Sequence, residues 1–350
     1  MTAPWTLPDF DDHEGVHIFR DAATGLTGIV GVHSTTLGPA LGGTRFWHYP
    51  TPEDAVVDAL RLSRGMSYKN AMAGLPLGGG KAVILAGPDR RTRPEQLAAF
   101  ARAIESLGGR YVTAQDVGLT QDDMATLAEH TRFICGQPGA EKGMAGGDSG
   151  PPTALGVYLG LRAAIARALG KDDPRGVHVA IQGVGSVGGN LARRLAADGA
   201  RLTLADVYPD RAQSLAAELG AEAVPAEAIL AVDADVVSPC ALGAVLNEGS
   251  IAAMKARVVA GAANNQLATA EDAARLHARG ILYAPDYVIN AGGVINVGLQ
   301  YLGGNTMADV EARIAQIPAR LEQVWAESAV EDRPAAEVAD DIARRLIGRA

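Results

Sequence analysis

Residues 177–206 of this chain read as strand, glycine turn, helix, strand and acid, and no other feature narrows the fold as much. The apolar run "VHVAIQ" ends at Gly183-Val184-Gly185-Ser186-Val187-Gly188, the helical stretch "NLARRLAADG" follows, and a second run, "RLTLA", ends at Asp206, 23 residues after Gly183. In such a unit the first glycine permits a tight turn, the second lets a pyrophosphate approach the backbone, and the third lets helix and strand pack closely. The helix N-terminus adds free N–H groups and a positive dipole end. A carboxylate closing the second strand accepts hydrogen bonds from ribose hydroxyls and repels a 2′-phosphate, so the pattern predicts NAD rather than NADP. A glycine turn alone is a weak signal, whereas these parts in this order are specific. Arg211, five residues beyond the acid, leaves room for some NADP tolerance.

The alternation continues through residue 290. "DVVSPC", "RVVAGAA" and "ILYAPD" are further short strands separated by helix-like segments, which predicts a doubly wound parallel sheet. With 350 residues the chain exceeds one ordinary core, and two domains are expected. Upstream, residues 16–48 alternate β-branched runs with turn residues and predict hairpins. Thr51-Pro52-Glu53-Asp54 starts a helix that ends near Lys69, residues 81–86 and 110–114 read as strands, and 94–107 as a helix. The Gly/Pro-rich stretch 136–152 marks the boundary. The expected division is a substrate-binding and oligomerisation domain over 1–140, a Rossmann-type dinucleotide domain over 141–305, and two amphipathic helices in a 306–350 tail.

Within the first domain "YKNAMAGLPLGGGK" places Lys69 and Lys81 twelve residues apart around a glycine-rich loop. A phosphate-binding loop would need glycine where Leu75 stands and a hydroxyl where Ala82 stands, so that reading fails twice. Lysines are most often solvated. These two lie among glycine and apolar residues, and two ammonium groups beside a dinucleotide site suit a substrate carrying a carboxylate and a carbonyl.

A net charge of −9 offers no basic field for nucleic acid. "MTAPWTLPDFDDHEG" lacks the basic start and apolar run of a secretion signal, and no stretch reaches membrane-spanning length, so a cytoplasmic protein is expected. Cys135 and Cys240 form no CxxC, and the seven histidines show no metal-ligand spacing; no metal is expected.

"GPALGGTR", "GMSYKNAMAGLPLGGGKAVI", "AQDVG", "PTALGVYLG", "QGVGSVGG", "VVAGAANNQL" and "ILYAPDYVINAGG" together resemble the glutamate/leucine/phenylalanine/valine dehydrogenase family, over about residues 13–349. The resemblance implies an α/β protein with a mixed N-terminal domain, a Rossmann-type domain and an active-site cleft between them. It implies Lys81 as the catalytic lysine, Asp116 as a proton shuttle to the substrate nitrogen, Lys69 as the holder of the α-carboxylate, and Gly42 and Gly43 as backbone neighbours of the substrate. Leu41, Ala114, Val294 and Val297 would surround its side chain. Thr153, Asn264 and Asn290 would line the nicotinamide–substrate junction, and Cys240 and Ala241, ending the strand "DVVSPC", join the expected cofactor contacts. Gln115 stands where relatives often have Glu, and "DVGLT" replaces the frequent "DVGT".

The implied reaction is reversible, NAD-dependent oxidative deamination of an L-amino acid to a 2-oxo acid and ammonium, by a homo-oligomer, octamer or dimer. An apolar side-chain pocket would reject glutamate, since an unpaired buried carboxylate is prohibitive, and would favour leucine, isoleucine and valine over phenylalanine. Phenylalanine or valine dehydrogenase is the alternative within the family. An NAD-binding regulator would lack the reactive groups, and a lyase with tightly held NAD would release no net NADH.

Overall fold

The structure, a computed structural model, describes residues 3–136 and 143–349. The chain forms two compact units, one comprising the residues up to Gly147, Val294–Asp309 and those from Ala343 onward, the other Asp148–Gly293 and Val310–Ile342.

The first unit holds the strands β1 (Gly15–Asp21), β2 (Leu26–Ser34), β3 (Ala40–Trp47), β4 (Gly78–Leu85) and β5 (Tyr111–Gln115), ordered β1-β2-β4-β3-β5. β1 and β2 form the expected hairpin, but β3 does not pair with β2: β4 enters between them, antiparallel to β2 and parallel to β3. Three helices belong here, α1 (Pro52–Met72), α2 (Pro94–Ser106) and α3 (Gln121–Ala128). The expected start of α1 is present as a reciprocal cap, Asp54 N donating to Thr51 Oγ1 and Thr51 N to the Asp54 carboxylate. Its end lies at Met72, past Lys69. Strand alternation sorts the core into two layers. Ile29 and Val83 pack with Ala55, Val56, Ala59 and Leu60 of α1, while Val30, Val32, Ala82 and Ile84 pack with Leu97, Phe100 and Ile104 of α2. Lys81, two residues before Val83, therefore shares the α1 face.

The glycines before Lys81 are strand rather than loop. A Cβ on Gly78 would lie 2.0 Å from Ser34 O, one on Gly79 2.0 Å from Ser67 N, and one on Gly80 2.6 Å from the Tyr111 ring. Neighbouring backbone and side chains come too close for any side chain here, and composition alone reads such a run as a loop.

The second unit is built on an all-parallel sheet of β6 (His178–Gln182), β7 (Arg201–Ala205), β8 (Glu222–Ala223), β9 (Val236–Pro239), β10 (Val258–Val259) and β11 (Leu282–Tyr283), ordered β11-β10-β9-β6-β7-β8. This is the doubly wound order, reversing between β6 and β9. The helices that follow the first unit's three are α4 (Gly150–Leu169), α5 (Ser186–Ala197), α6 (Pro209–Leu219), α7 (Glu248–Ala253), α8 (Glu271–Ala278) and α9 (Asp286–Ile289). After them come α10 (Gly292–Leu302), α11 (Met307–Ile314), α12 (Ile317–Glu331) and α13 (Ala335–Leu346).

Two expectations change. The tail carries three helices, α11 to α13, because Gln316 and Asp332, the latter at φ 52°, interrupt what composition reads as two. Most of α10 belongs to the first unit, since a Cβ on its Gly298 would lie 3.1 Å from methyls of both Leu75 and Leu77. Of the boundary stretch 136–152, residues 137–142 lie outside the described residues. Among the described residues no helix is long and apolar enough to cross a membrane.

Candidate active site

β4 presents Lys81 on the α1 face and β5 runs out at Gln115, so that Asp116 follows directly. Lys81 Nζ lies 2.7 Å from Asp116 Oδ2, with the lysine only 7% exposed. Burial drives the Lys81 ammonium below its ordinary range, against the pull of the Asp116 charge. Burial opposes the Asp116 charge too, but there Lys81 and Arg45 overcome it and hold the carboxyl below its ordinary range. Gly43 clears the space for this pair: a Cβ there would come within 2.8 Å of Asp116 Cβ.

Arg45, to which the sequence analysis assigned no role, completes the cluster. Its Nε lies 3.2 Å from Asp116 Oδ2, and its NH1 donates to Asp58 Oδ2 at 2.8 Å. Asp58, on α1, also accepts from Tyr49 OH at 2.6 Å and from Arg61 NH2 at 3.0 Å. The signal available in sequence was an arginine inside the apolar strand "ALGGTRFW" and an aspartate on the apolar face of "AVVDAL". A buried charge demands a partner, yet nothing local says which.

The other substrate-side candidates fall in the first unit, except Asn264, which lies in the second. Lys69 sits half-buried in the last turn of α1, and Leu41 is 1% exposed on β3. The carbonyls of Gly42 and Gly43 accept from Tyr111 OH at 2.7 and 3.2 Å. Ala114 lies half-buried near the end of β5, while Val294 and Val297 stand one turn apart on α10.

In the second unit the three glycines of the turn divide their work. Gly183 has φ 89°, in the left-handed region, and a Cβ there would meet Ala241 at 2.7 Å. A Cβ on Gly188 would lie 1.9 Å from Gly183 O and 3.1 Å from Cys240 Cβ, so strand end and helix touch. Among the described residues a Cβ on Gly185 meets nothing within 4 Å, which leaves open space at the start of α5. The start of α4 packs beside it, a Cβ on Gly150 falling 2.0 Å from Ser186 Oγ, so two positive helix ends converge. Cys240 and Ala241 thus back the turn that Gly183, Val184, Gly185, Ser186, Val187 and Gly188 form.

Asp206, 8% exposed, accepts from Val184 N at 2.9 Å and from Tyr208 N at 3.0 Å. Its carboxylate ties the glycine turn to β7, with Arg211 NH1 3.8 Å away. Thr153 Oγ1 donates to Ser149 O at 2.7 Å, and a Cβ on Gly293 would lie 2.8 Å from that hydroxyl. Asn290 Nδ2 donates to Asn264 Oδ1 at 2.8 Å and to Ala262 O at 3.0 Å, while Asn290 Oδ1 is buried without a hydrogen-bond partner among the described residues. An open glycine, two helix N-termini, a carboxylate at the second strand's end and an orphaned amide oxygen fit a dinucleotide with a carboxamide.

Comparison with known proteins adds a second line of argument. Residues 13–133 match the profile "Glu/Leu/Phe/Val dehydrogenase, dimerisation domain" and residues 204–339 the profile "Glutamate/Leucine/Phenylalanine/Valine dehydrogenase". The chain is 45% identical to leucine dehydrogenase of Bacillus subtilis over 97% of its length and 92% of the relative's. It is likewise 45% identical to valine dehydrogenase of Streptomyces albus, over 98% of this chain and 94% of that one. The crystal structure of L-tryptophan dehydrogenase from Nostoc punctiforme superposes with a TM-score of 0.86 at 38% identity, covering 96% of each chain. Identity of this extent, on a mixed α/β unit with a buried lysine–aspartate pair and a Rossmann-type unit, establishes that the chain belongs to the glutamate/leucine/phenylalanine/valine dehydrogenase family and is an oxidoreductase of the amino-acid dehydrogenase type.

Proposed function

We propose that this protein catalyses the NAD-dependent, reversible oxidative deamination of branched-chain aliphatic L-amino acids (leucine, isoleucine and valine) to 2-oxo acids and ammonium. The observation that carries the reading is the Lys81–Asp116 ion pair at 2.7 Å, in which Lys81 is buried and Asp116 half-buried against a Gly43 that leaves it room.

In this reading Lys69 binds the substrate α-carboxylate, while Leu41, Ala114, Val294 and Val297 contact its side chain. A bound dinucleotide would supply the acceptor for the hydride that leaves the substrate Cα. Asp116 relays a proton from the substrate amine before that transfer. Lys81, its ammonium destabilised by burial, takes a proton from the water that adds to the imine carbon. After releasing that proton to solvent, Lys81 takes the proton of the carbinolamine hydroxyl, its ammonium stabilises the developing alkoxide, and C–N cleavage forms the 2-oxo acid as Asp116 returns a proton to the departing nitrogen. Gly183–Gly188 and the first turn of α5 would hold the pyrophosphate, with Cys240 and Ala241 behind them, and Thr153, Asn264 and Asn290 would hold the nicotinamide end. Asp206 accepts from the adenosine ribose and disfavours a 2′-phosphate. Its ties to Val184 and Tyr208 support a fixed carboxylate for that task.

The apolar character of the four side-chain contacts and the 45% identity to both a leucine and a valine dehydrogenase support an aliphatic substrate. We extend the reading to a homo-oligomer working in the cytoplasm. The matched dimerisation profile supports the first and two unpaired, largely buried thiols the second. Initial rates of NADH formation with L-leucine, L-isoleucine, L-valine and L-phenylalanine, repeated with NADP, test the reading. Leucine should exceed phenylalanine in kcat/KM and NAD should exceed NADP. Equal or higher values for phenylalanine overturn the substrate assignment, and no reduced dinucleotide with any amino acid overturns the activity.

A further inference from the structure

We propose that Arg45 is a positioning residue that pins the Asp116 carboxylate against Lys81 and ties that pair to α1. The inference rests on the reading above, in which Lys81 and Asp116 do the proton chemistry.

Both cations fall on one oxygen: Lys81 Nζ at 2.7 Å and Arg45 Nε at 3.2 Å from Asp116 Oδ2. Rotation of the carboxylate away from Lys81 therefore breaks two ion pairs rather than one. Arg45 is itself held. Its NH1 bonds Asp58 Oδ2 at 2.8 Å, and Tyr49 OH and Arg61 NH2 saturate Asp58 at 2.6 and 3.0 Å. The planar guanidinium spans two carboxylates, one after β5 and one on α1, from a single strand residue; a lysine ammonium at the end of a flexible stem cannot hold both directions at once. Around the pair the charges are Lys81 on β4, Arg45 on β3, Asp116 after β5, and Asp58 and Arg61 on α1, with the Tyr49 hydroxyl completing the ring.

Arg45 has an electrostatic effect as well as a geometric one. Its positive charge favours the ionised Asp116 and disfavours the ammonium of Lys81. Without it, Lys81 keeps its proton to higher pH. For oxidative deamination, which needs the free amine of Lys81, the acidic limb of the pH profile of kcat/KM then moves to higher pH.

Three variants test this side by side, with melting temperatures to confirm folding: Arg45→Gln, Arg45→Lys and Lys81→Ala. Arg45→Gln is expected to lower kcat by roughly tenfold to a hundredfold, the scale of a misplaced catalytic group, with KM for the amino acid nearly unchanged and the acidic limb displaced upward. The pH dependence of Lys81 labelling by an amine-directed reagent, read by mass spectrometry, should shift in the same direction. Arg45→Lys restores the charge, so its limb should return toward wild type while kcat stays depressed. If Arg45→Gln is unstable, Arg45→Lys alone decides: wild-type kcat with a wild-type profile overturns the proposal. So does a purely KM-based effect, or a folded Arg45→Gln whose profile and labelling match wild type. An active Lys81→Ala instead refutes the underlying reading, which separates the two failures.

Discussion

Two glycine-rich stretches, one in each unit, look alike on paper and owe their glycines to opposite causes. At Gly78-Gly79-Gly80 the strand is pressed so closely by Ser34, α1 and Tyr111 that no side chain fits. At Gly183–Gly188 the first and third glycines serve a turn and a close contact, but Gly185 faces open space. The first stretch is glycine because the protein itself fills the volume, whereas at Gly185 in the second the described residues leave that volume open. A glycine run thus announces close approach of a backbone, and only the partner's identity separates scaffold from site.

The sharpest way to break this contrast is Gly79→Ala. Its Cβ would fall 2.0 Å from Ser67 N and 2.3 Å from Ser67 Oγ, backbone and short side chain that have no room to yield. We expect about 4 kcal/mol or more of destabilisation, seen as loss of soluble protein or a collapsed melting temperature. A variant that melts with the wild type would show that the strand can shift and that packing is not why glycine stands there.

Next in size, Lys81→Ala should cut kcat by about 10²–10⁴ while NAD affinity, measured by fluorescence titration, stays unchanged. The prediction sharpens the comparison because, in the proposed function, the residue following the first glycine run acts on turnover and the second run on cofactor affinity. Retention of more than about a tenth of kcat would remove Lys81 from the chemistry.

The tight packing should also make the first unit acid-sensitive. Ser67, the residue against Gly79, bonds His33 Nδ1 at 2.8 Å. Burial and the neighbouring Arg349 push the His33 pKa down to about 3. A histidine in an unfolded chain titrates near 6.5, so between these values the unfolded chain binds a proton that the folded one refuses. The stabilisation is complete above about pH 6.5 and declines as the pH falls toward 3, by roughly 2 kcal/mol at pH 5. Hydrogen exchange at pH 7 and 5, corrected for intrinsic rates, should show peptides of β2, α1 and β4 losing protection ahead of those of β6 and β7. Equal loss in both units would contradict the assignment to His33.

The smallest stability change belongs to Gly185→Ala. With φ −69° and nothing within 4 Å of the added methyl, folding should change by under about 1 kcal/mol. The Kd for NAD should nevertheless rise about tenfold or more, because the methyl occupies the space reserved for the pyrophosphate. An unaltered Kd would deny that the open space is the cofactor's.

The contrast also explains what could be read in advance. The glycine turn, α5 and Asp206 follow one another along the chain, and turn dihedrals, helix starts and strand runs are decided by neighbouring residues. The dinucleotide unit was therefore legible almost throughout. The short edge strand β8 was not, nor was the use of the Asp206 carboxylate on the amides of Val184 and Tyr208, since hydrogen-bond direction leaves no mark on sequence. In the first unit, Lys81 stood out as a charged residue in lean surroundings and Asp116 through the family resemblance, but their partner Arg45 did not.

By itself, then, the sequence determined the parallel sheet and its glycine turn, the start of α1, and a lysine set in lean apolar surroundings, because each rests on local backbone preference or on a residue type that burial makes conspicuous; the acid beside that lysine came from the family resemblance. Tertiary structure alone decided that β4 inserts between β2 and β3, that the glycines before Lys81 are strand, and that α10 joins the first unit. It also decided that Arg45 stands between Asp58 and Asp116. These arrangements come from surfaces meeting across tens of residues, and their energy lies in excluded volume and paired charges that exist only once the chain has folded.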